Sequence, residues 1–398
     1  MGVLPVGTVR LPVVDIPIMH NRQHDPDVMK TTTLCLCMIV KNESHIILET
    51  LSSVRKYIDY WVICDTGSTD NTVDLIQTFF DDESVKGEIH SEKWVDFGFN
   101  RSRVFELAFG KADYLWVIDA DDILIGEPNT GQLDLDSYSI RYGRDFTYWR
   151  NQIFKGSEKW IYKGVLHEYP VCLSKSDAST GRIEGDYHVD SRRLGARNLV
   201  DPIEKYLRDT EVLESALLAE EDSYLRTRYY FYLAQSYRDA GRHALAVQWY
   251  LKRIEAGGWV EEVWNSKYEV AKAYQTLGNV EFAKKFYLDA FEFRPSRAES
   301  LYALGKLCNE SGEFFQAYVY LNHASSISRT GDVLFVAGDV YDYKIIFELS
   351  ISAYWVEKYI QSIELCDRLL DMKAGLPENI YQQTLKNRNF SLEKLKLV

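Results

Sequence analysis

The sequence is short of the features that send a chain into a membrane, a disulfide scaffold or a nucleic-acid complex. No stretch of its 398 residues approaches the roughly 18 apolar residues of a membrane span. The first twenty residues, broken by Pro5, Pro12 and Pro17, hold no continuous apolar run of the secretory kind. Cysteine is sparse: Cys35, Cys37, Cys64, Cys172, Cys308 and Cys366 form no C-x-x-C pair, and no histidine stands at structural-zinc spacing. Three of them lie in apolar strand-like runs, where the thiol acts as a small hydrophobe, so buried free thiols and a soluble, cytoplasmic protein are expected. Positive charge is also short. With 46 Lys and Arg against 59 Asp and Glu, the net charge of -13 repels polyanions and disfavours nucleic acid as a partner.

Aromatic residues are abundant, with 27 Tyr, 18 Phe and 9 Trp, a composition that suits packed helical repeats and sugar-binding surfaces alike. The length favours two domains. Residues 1–30 mix Pro with β-branched residues and end in the polar run HNRQHDPD, which predicts an extended arm. From Leu34 the chain alternates buried strands and amphipathic helices: LCLCMIV, SHIILETLSSVRKYI, YWVICD, VDLIQTFF, RSRVFELAFGKA and YLWVID. This alternation predicts a parallel sheet. SYSIRYG, FTYWRNQIFK and YKGVLHEYPVCL read as later antiparallel strands, making the sheet mixed before the domain closes near Arg197.

Beyond Asp201 the apolar period becomes 3.6, and a repeat emerges. Ala234, Ala271 and Gly305 occupy equivalent places, as do Gly241, Gly278 and Gly312, and Ala246, Ala283 and Ala317, each set stepping by 37 and then 34 residues. That spacing is close to the tetratricopeptide period of about 34 residues. Small residues let paired helices approach, and the Gly ends the first helix of each pair. The predicted division is an arm over 1–30, an α/β domain over 31–198 and a helical repeat domain over 199–398.

Ligands of open parallel sheets bind beyond the carboxyl ends of the strands, and each such end here carries a polar cluster. KNE follows the first strand, DTGSTDNT the second and DADD the YLWVID strand. Carboxylates spaced as Asp119, Asp121 and Asp122 can bind a hard divalent cation bridging a diphosphate, for which magnesium or manganese suits oxygen ligands. Taken singly, each cluster is equally a helix cap or a solvated turn; Asp65, Ser68 and Asp70 could cap the helix that follows them.

In this order and spacing, KNE, CDTGSTDNT and DADD resemble the family 2 glycosyltransferases of the GT-A fold. WVDFGFNRSRVFELA before the D-x-D, W-IYKGVLHEYP after it, GARNLVDPIEKYLRDTEVLE, YYFYLAQSYRDAGR and GGWVEE extend the likeness to cytoplasmic members that fuse GT-A to tetratricopeptide repeats. Bacterial glycosyltransferases that modify peptide cysteines share this plan. The resemblance implies a nucleotide-sugar-binding domain with a mixed, mainly parallel sheet, followed by an all-α tetratricopeptide solenoid.

It further implies a metal-dependent, inverting transfer from a nucleotide-sugar, a UDP-sugar foremost, with Mn2+ or Mg2+. Carried over to this chain, Asp65 would contact the base, Glu43 the nucleoside and Asp119 the ribose, while Asp121 would ligate the metal. Arg101 falls where the family places an Arg, although this chain reads NRS where RN is commoner. Glu168, with its neighbour His167, is the candidate general base; His188 would be an extra metal ligand. Arg193 and Arg197 would clamp the diphosphate, or else pair with acids of the repeat domain. The acceptor is expected to be a protein, peptide or glycan engaged partly by the repeats, with modified DNA disfavoured by charge, and dimerisation is open to the repeats. The competing reading is a repeat scaffold whose N-terminal domain binds a nucleotide-sugar without turnover.

Overall fold

A computed structural model describes residues 32–143, 148–192, 194–372 and 375–396; the arm expected over residues 1–30 lies outside them. That strand, β1 (Leu34–Val40), shows why the sheet is buried on both faces. Leu34, Leu36, Met38 and Val40 enter one apolar cluster and Cys35 and Cys37 a second, so alternate side chains feed two cores on opposite sides of one strand.

β1 pairs in parallel with β2 (Tyr60–Asp65) and β4 (Tyr114–Val117), and β2 with β3 (Gly87–Ser91). Helices α1 (Ile47–Val54), α2 (Thr72–Asp82) and α3 (Phe97–Ala108) make the crossovers. The sheet turns mixed after β4: β7 (Tyr148–Lys155) lies antiparallel to both β4 and β6 (Ser137–Tyr142), and β11 (Gly185–Ser191) antiparallel to β5 (Asp122–Pro128). The strand order is β3-β2-β1-β4-β7-β6-β11-β5, with β10 (Thr180–Arg182) beside β6. One expectation is corrected. YKGVLHEYPVCL is not a continuous strand but a ribbon of β8 (Trp160–Lys163) and β9 (Tyr169–Cys172), separate from the main sheet and joined by a turn holding His167 and Glu168.

Ser191 ends the last strand, and α4 (Pro202–Ala219) opens the helical region with Asp201 as its cap and Pro202 in the first turn, where a missing N–H costs nothing. Three helical hairpins follow: α5 (Ser223–Asp239) with α6 (His243–Ala256), α7 (Val260–Thr276) with α8 (Val280–Phe293), and α9 (Glu299–Glu310) with α10 (Phe314–Ala324). Then come α11 (Ile345–Trp355), α12 (Tyr359–Asp371) and α13 (Glu378–Lys396). The repeat residues do what their size dictates. Ala234, Ala271, Ala246, Ala283 and Ala317 are fully buried, and a Cβ on Gly305 would meet Leu321 Cγ at 2.4 Å. Gly241, Gly278 and Gly312 take φ of 72°, 76° and 76°, the left-handed conformation that ends a helix without a Cβ clash.

The two domains share a core. Leu166 of the β8–β9 ribbon packs in one cluster with Leu213, Leu225 and Tyr229 of α4 and α5, and Phe97 and Val165 lie against it. All six cysteines are free, five of them buried. Among the described residues no helix is long and apolar enough to cross a membrane.

Candidate active site

The parallel strands β1, β2 and β4 end side by side, which gathers three polar clusters distant in sequence. At the end of β2, Asp65 is buried and accepts hydrogen bonds from Gly67 N (3.2 Å) and Ser68 N (3.1 Å), shaping the turn beneath any base or ribose. Asp70, one residue before the N-cap Asn71, accepts from Thr72 N at 3.1 Å. Asn42, at φ 57°, accepts from Thr69 N at 2.7 Å and ties the first turn to the second.

Glu43 and Asp121 face each other under a loop from the far end of the domain. Ala196 N donates to both Glu43 oxygens at 3.2 Å, and Gly195 N to Asp121 Oδ2 at 2.9 Å. The same loop is tied down by His45 Nε2 on the Leu194 carbonyl (2.9 Å) and Arg192 Nε on that of Asp121 (3.3 Å). Burial pushes the Glu43 pKa up to about 7; the Ala196 N–H opposes this and the Asp121 charge adds to it. Asp122 is fully buried and takes a hydrogen bond from Tyr142 Oη at 2.9 Å; burial, then the charge of Asp119, raises its pKa to about 7.

Asp119 is the hub of a second group. Arg101, from α3, pairs with its Oδ1, and Arg150, from β7, lies 3.3 Å from its Oδ2. Arg101 also places Nε 2.7 Å from Glu168 Oε1, close enough for an ion pair though not aligned as a hydrogen bond. One nearly buried guanidinium thus bridges Asp119 and Glu168. Burial opposes the charges, but the arginines outweigh it and hold the Asp119 pKa well below the usual carboxylate range. A ribose contact from Asp119 would therefore share a carboxylate already paired on both oxygens.

His167 stacks on Tyr232 of α5, ring centroids 3.8 Å apart and 6° from parallel. Desolvation, then the charges of Arg228, Arg197, Lys205 and Arg150, push its pKa down. The residue is exposed to solvent, and its cationic neighbours favour the neutral imidazole.

Two expected residues do not join the cluster. His188, on β11, pairs with Ile125 on the face opposite buried Tyr187 and Val189, away from Asp121 and Glu43. Three strand residues, about 10 Å, separate it from the register position of Asp122. Arg197 pairs with Asp209 of α4 and lies over the Phe97 ring, so its guanidinium joins the two domains. Arg193 lies outside the described residues. Sequence reasoning missed Arg150, an isolated arginine in an apolar strand whose partner is set only by the β4–β7 pairing. It also missed the Gly195 and Ala196 amides, which carry no side-chain signature.

Among the described residues no three His, Cys, Asp or Glu side chains are arranged to hold a metal alone. The donor chemistry nevertheless fits a hard cation. A Cβ on Gly195 would stand 3.2 Å from Asp121 Oδ2 and 3.4 Å from Glu43 Oε1, so two carboxylates flank one small space. Magnesium-type sites commonly use one or two carboxylates and complete their shell with water and substrate phosphates.

Comparison with known proteins finds likenesses to both halves of the chain. Residues 35–127 match the family described as Glycosyl transferase family 2. The SPbeta prophage-derived glycosyltransferase SunS of Bacillus subtilis is 31% identical over 161 residues, covering 37% of this chain and 36% of that one. A TPR repeat-containing protein of Synechococcus elongatus is 34% identical over 102 residues, covering 25% of this chain and 24% of its own. The chain thus spans about a third or less of the length of these curated relatives. Among solved structures, a tetratricopeptide repeat protein of Parabacteroides merdae is 15% identical over 48% of this chain and 70% of its own, with a TM-score of 0.37. The BtubC protein of P. vanneervenii is 19% identical over 43% and 76%, also at 0.37. Residues 35–127 thus resemble glycosyltransferase family 2, in a chain that joins this region to a series of helical hairpins.

Proposed function

We propose that the chain is an inverting glycosyltransferase that moves a sugar from a nucleotide-sugar, foremost a UDP-sugar, to an acceptor entering between the catalytic domain and the repeats. The observation that carries the reading is the convergence of Glu43, Asp65, Asp119, Asp121 and Glu168 from separate segments onto the carboxyl edge of the parallel strands, where such sheets bind nucleotides.

Asp65 and its turn amides would receive the nucleoside, and Asp121, with Glu43 beside it, would hold a divalent cation. The cation, when bound, stabilises negative charge on the departing diphosphate. Glu168 keeps Oε2 free of hydrogen bonds among the described residues while Arg101 fixes Oε1. Oε2 would take the acceptor proton as the nucleophile bonds to the anomeric carbon; the carbon–oxygen bond to the diphosphate breaks, and its electron pair leaves with that group. The closed repeat core and the acidic balance favour a protein, peptide or glycan acceptor over DNA.

The test is calorimetry of the full chain against UDP-glucose, UDP-N-acetylglucosamine, UDP-galactose and GDP-mannose, with manganese and then with chelator. Metal-dependent binding of one donor is expected. Silence from all four would overturn the donor assignment.

A further inference from the structure

The turn that presents Glu168 does not hold itself. Between β8 and β9 the chain runs through Gly164 at φ 103° and His167 at φ 53°. The second is a left-handed conformation in a residue with a Cβ, a strained state that persists only where the surroundings impose it. The surroundings here are one face of α5. Asp222, which caps the helix, lies 3.6 Å from Lys163, and Tyr229 Oη accepts from Val165 N at 3.1 Å. Arg228 Nε donates to the His167 carbonyl at 2.9 Å, and Tyr232 stacks on the His167 ring. The Arg228 guanidinium also lies over the rings of Tyr169 (5.2 Å) and Tyr232 (4.9 Å), and Tyr224 meets Tyr169 edge-on. Residues 225, 228, 229 and 232 recur at helical i, i+3, i+4, i+7 spacing, so a single helix face grips the whole turn.

We infer that α5 of the repeat domain belongs to the catalytic unit, with Arg228 and Tyr232 as positioning residues that set the His167–Glu168 turn and so aim Glu168 at the reacting centre. The chain of contact is continuous: Tyr232 and Arg228 hold His167, the next residue is Glu168, and Glu168 meets Arg101, which pairs with Asp119 at the end of β4. Glu168 has one fixed oxygen and depends on its backbone for the direction of the other. Freed from α5, His167 would relax out of the left-handed region and Glu168 would turn with it. The inference rests on the reading of Glu168 as the proton acceptor, but the grip of α5 on the turn is measurable without it.

Two measurements on the full chain separate these claims. The first is amide hydrogen exchange over residues 164–169 in Tyr232→Leu, Arg228→Met and the conservative Tyr232→Phe. Exchange in this turn is expected to rise about tenfold in the first two, with α7–α12 unchanged, and to stay at the wild-type rate in Tyr232→Phe, which keeps the stacked ring. Unchanged exchange in both Tyr232→Leu and Arg228→Met overturns the inference. The second is hydrolysis of manganese-bound UDP-glucose and UDP-N-acetylglucosamine, with Glu168→Gln setting the floor. Tyr232→Leu is expected to bind donor as the wild type does yet lose about tenfold in kcat, with Tyr232→Phe restoring the rate. A loosened turn with full kcat overturns the positioning role. A wild-type rate no higher than that of Glu168→Gln defeats the reading of Glu168 and leaves the hold of α5 to the exchange result.

Discussion

The backbone N–H of Gly195 donates to the Asp121 carboxylate at 2.9 Å across 74 residues of sequence, so the loop that follows the last strand closes directly on the carboxylate proposed to meet the metal. Asp121→Ala is therefore expected to abolish manganese-dependent donor binding, with affinity falling tenfold or more, about 1.4 kcal/mol. Calorimetry with manganese and with chelator reads the effect, and far-UV circular dichroism should show the helices intact. Equal affinity in wild type and variant would remove Asp121 from the site.

Arg101 serves two carboxylates at once, and its replacement should separate charge from geometry. Arg101→Gln leaves Asp119 and Glu168 without their shared cation; breaking a buried pair in this way costs about 3–5 kcal/mol, visible as a lower Tm. Arg101→Lys keeps the charge but not the two-directional fork, so it should recover much of the Tm without recovering turnover. A lysine variant with full donor hydrolysis would show that charge alone suffices.

Gly305 has no room for a side chain. Gly305→Ala drives a Cβ against Leu321 and is expected to cost about 1–3 kcal/mol in urea unfolding. In the double variant with Leu321→Ala the costs should be less than additive, since the second change removes the atoms that the first one strikes. Strict additivity would mean that the close approach of α9 and α10 is not what excludes the methyl group.

Glu348 lies buried in α11, where desolvation raises its pKa above the ordinary 4.5 although Asn309 Nδ2 donates to it at 2.9 Å. As pH rises from 4.5 through the higher folded value, the unfolded chain has released a proton that the folded chain retains, so stability falls across that window. Glu348→Gln keeps an acceptor for Asn309 and never ionises. Its Tm advantage over the wild type should be larger at about pH 8 than at about pH 4; a pH-independent difference would count against the buried carboxylate as its source.

The parts of the molecule that could be read from sequence are those set by local periodicity. β1 announces itself through seven apolar residues, and the solenoid through Ala234, Ala271 and Gly305, because one small residue at the same place in each repeat is a constraint that recurs. Carboxylates at strand ends were readable for a similar reason: parallel topology brings those ends together. The place of His188 was not readable because its face depends on the register of β11 against β5, and a shift of one residue turns a side chain to the other side of the sheet. Arg150, Gly195 and Tyr232 were invisible because each acts through a partner chosen by tertiary packing. The break of YKGVLHEYPVCL into two strands has the same origin, since the helix that grips its turn begins more than fifty residues later.

A stack of helical hairpins ordinarily exposes an apolar face at each end and needs terminal units to seal it. Here the seals differ. At the leading end Leu166 and its neighbours from the β8–β9 ribbon join α4 in covering the first hairpin, and at the trailing end α13 places small polar Thr384 and Ser391 inward behind a largely polar helix. The α/β domain is thus also part of the solenoid's front stopper. A repeat array cut away from it would be left with an unsealed, sticky end.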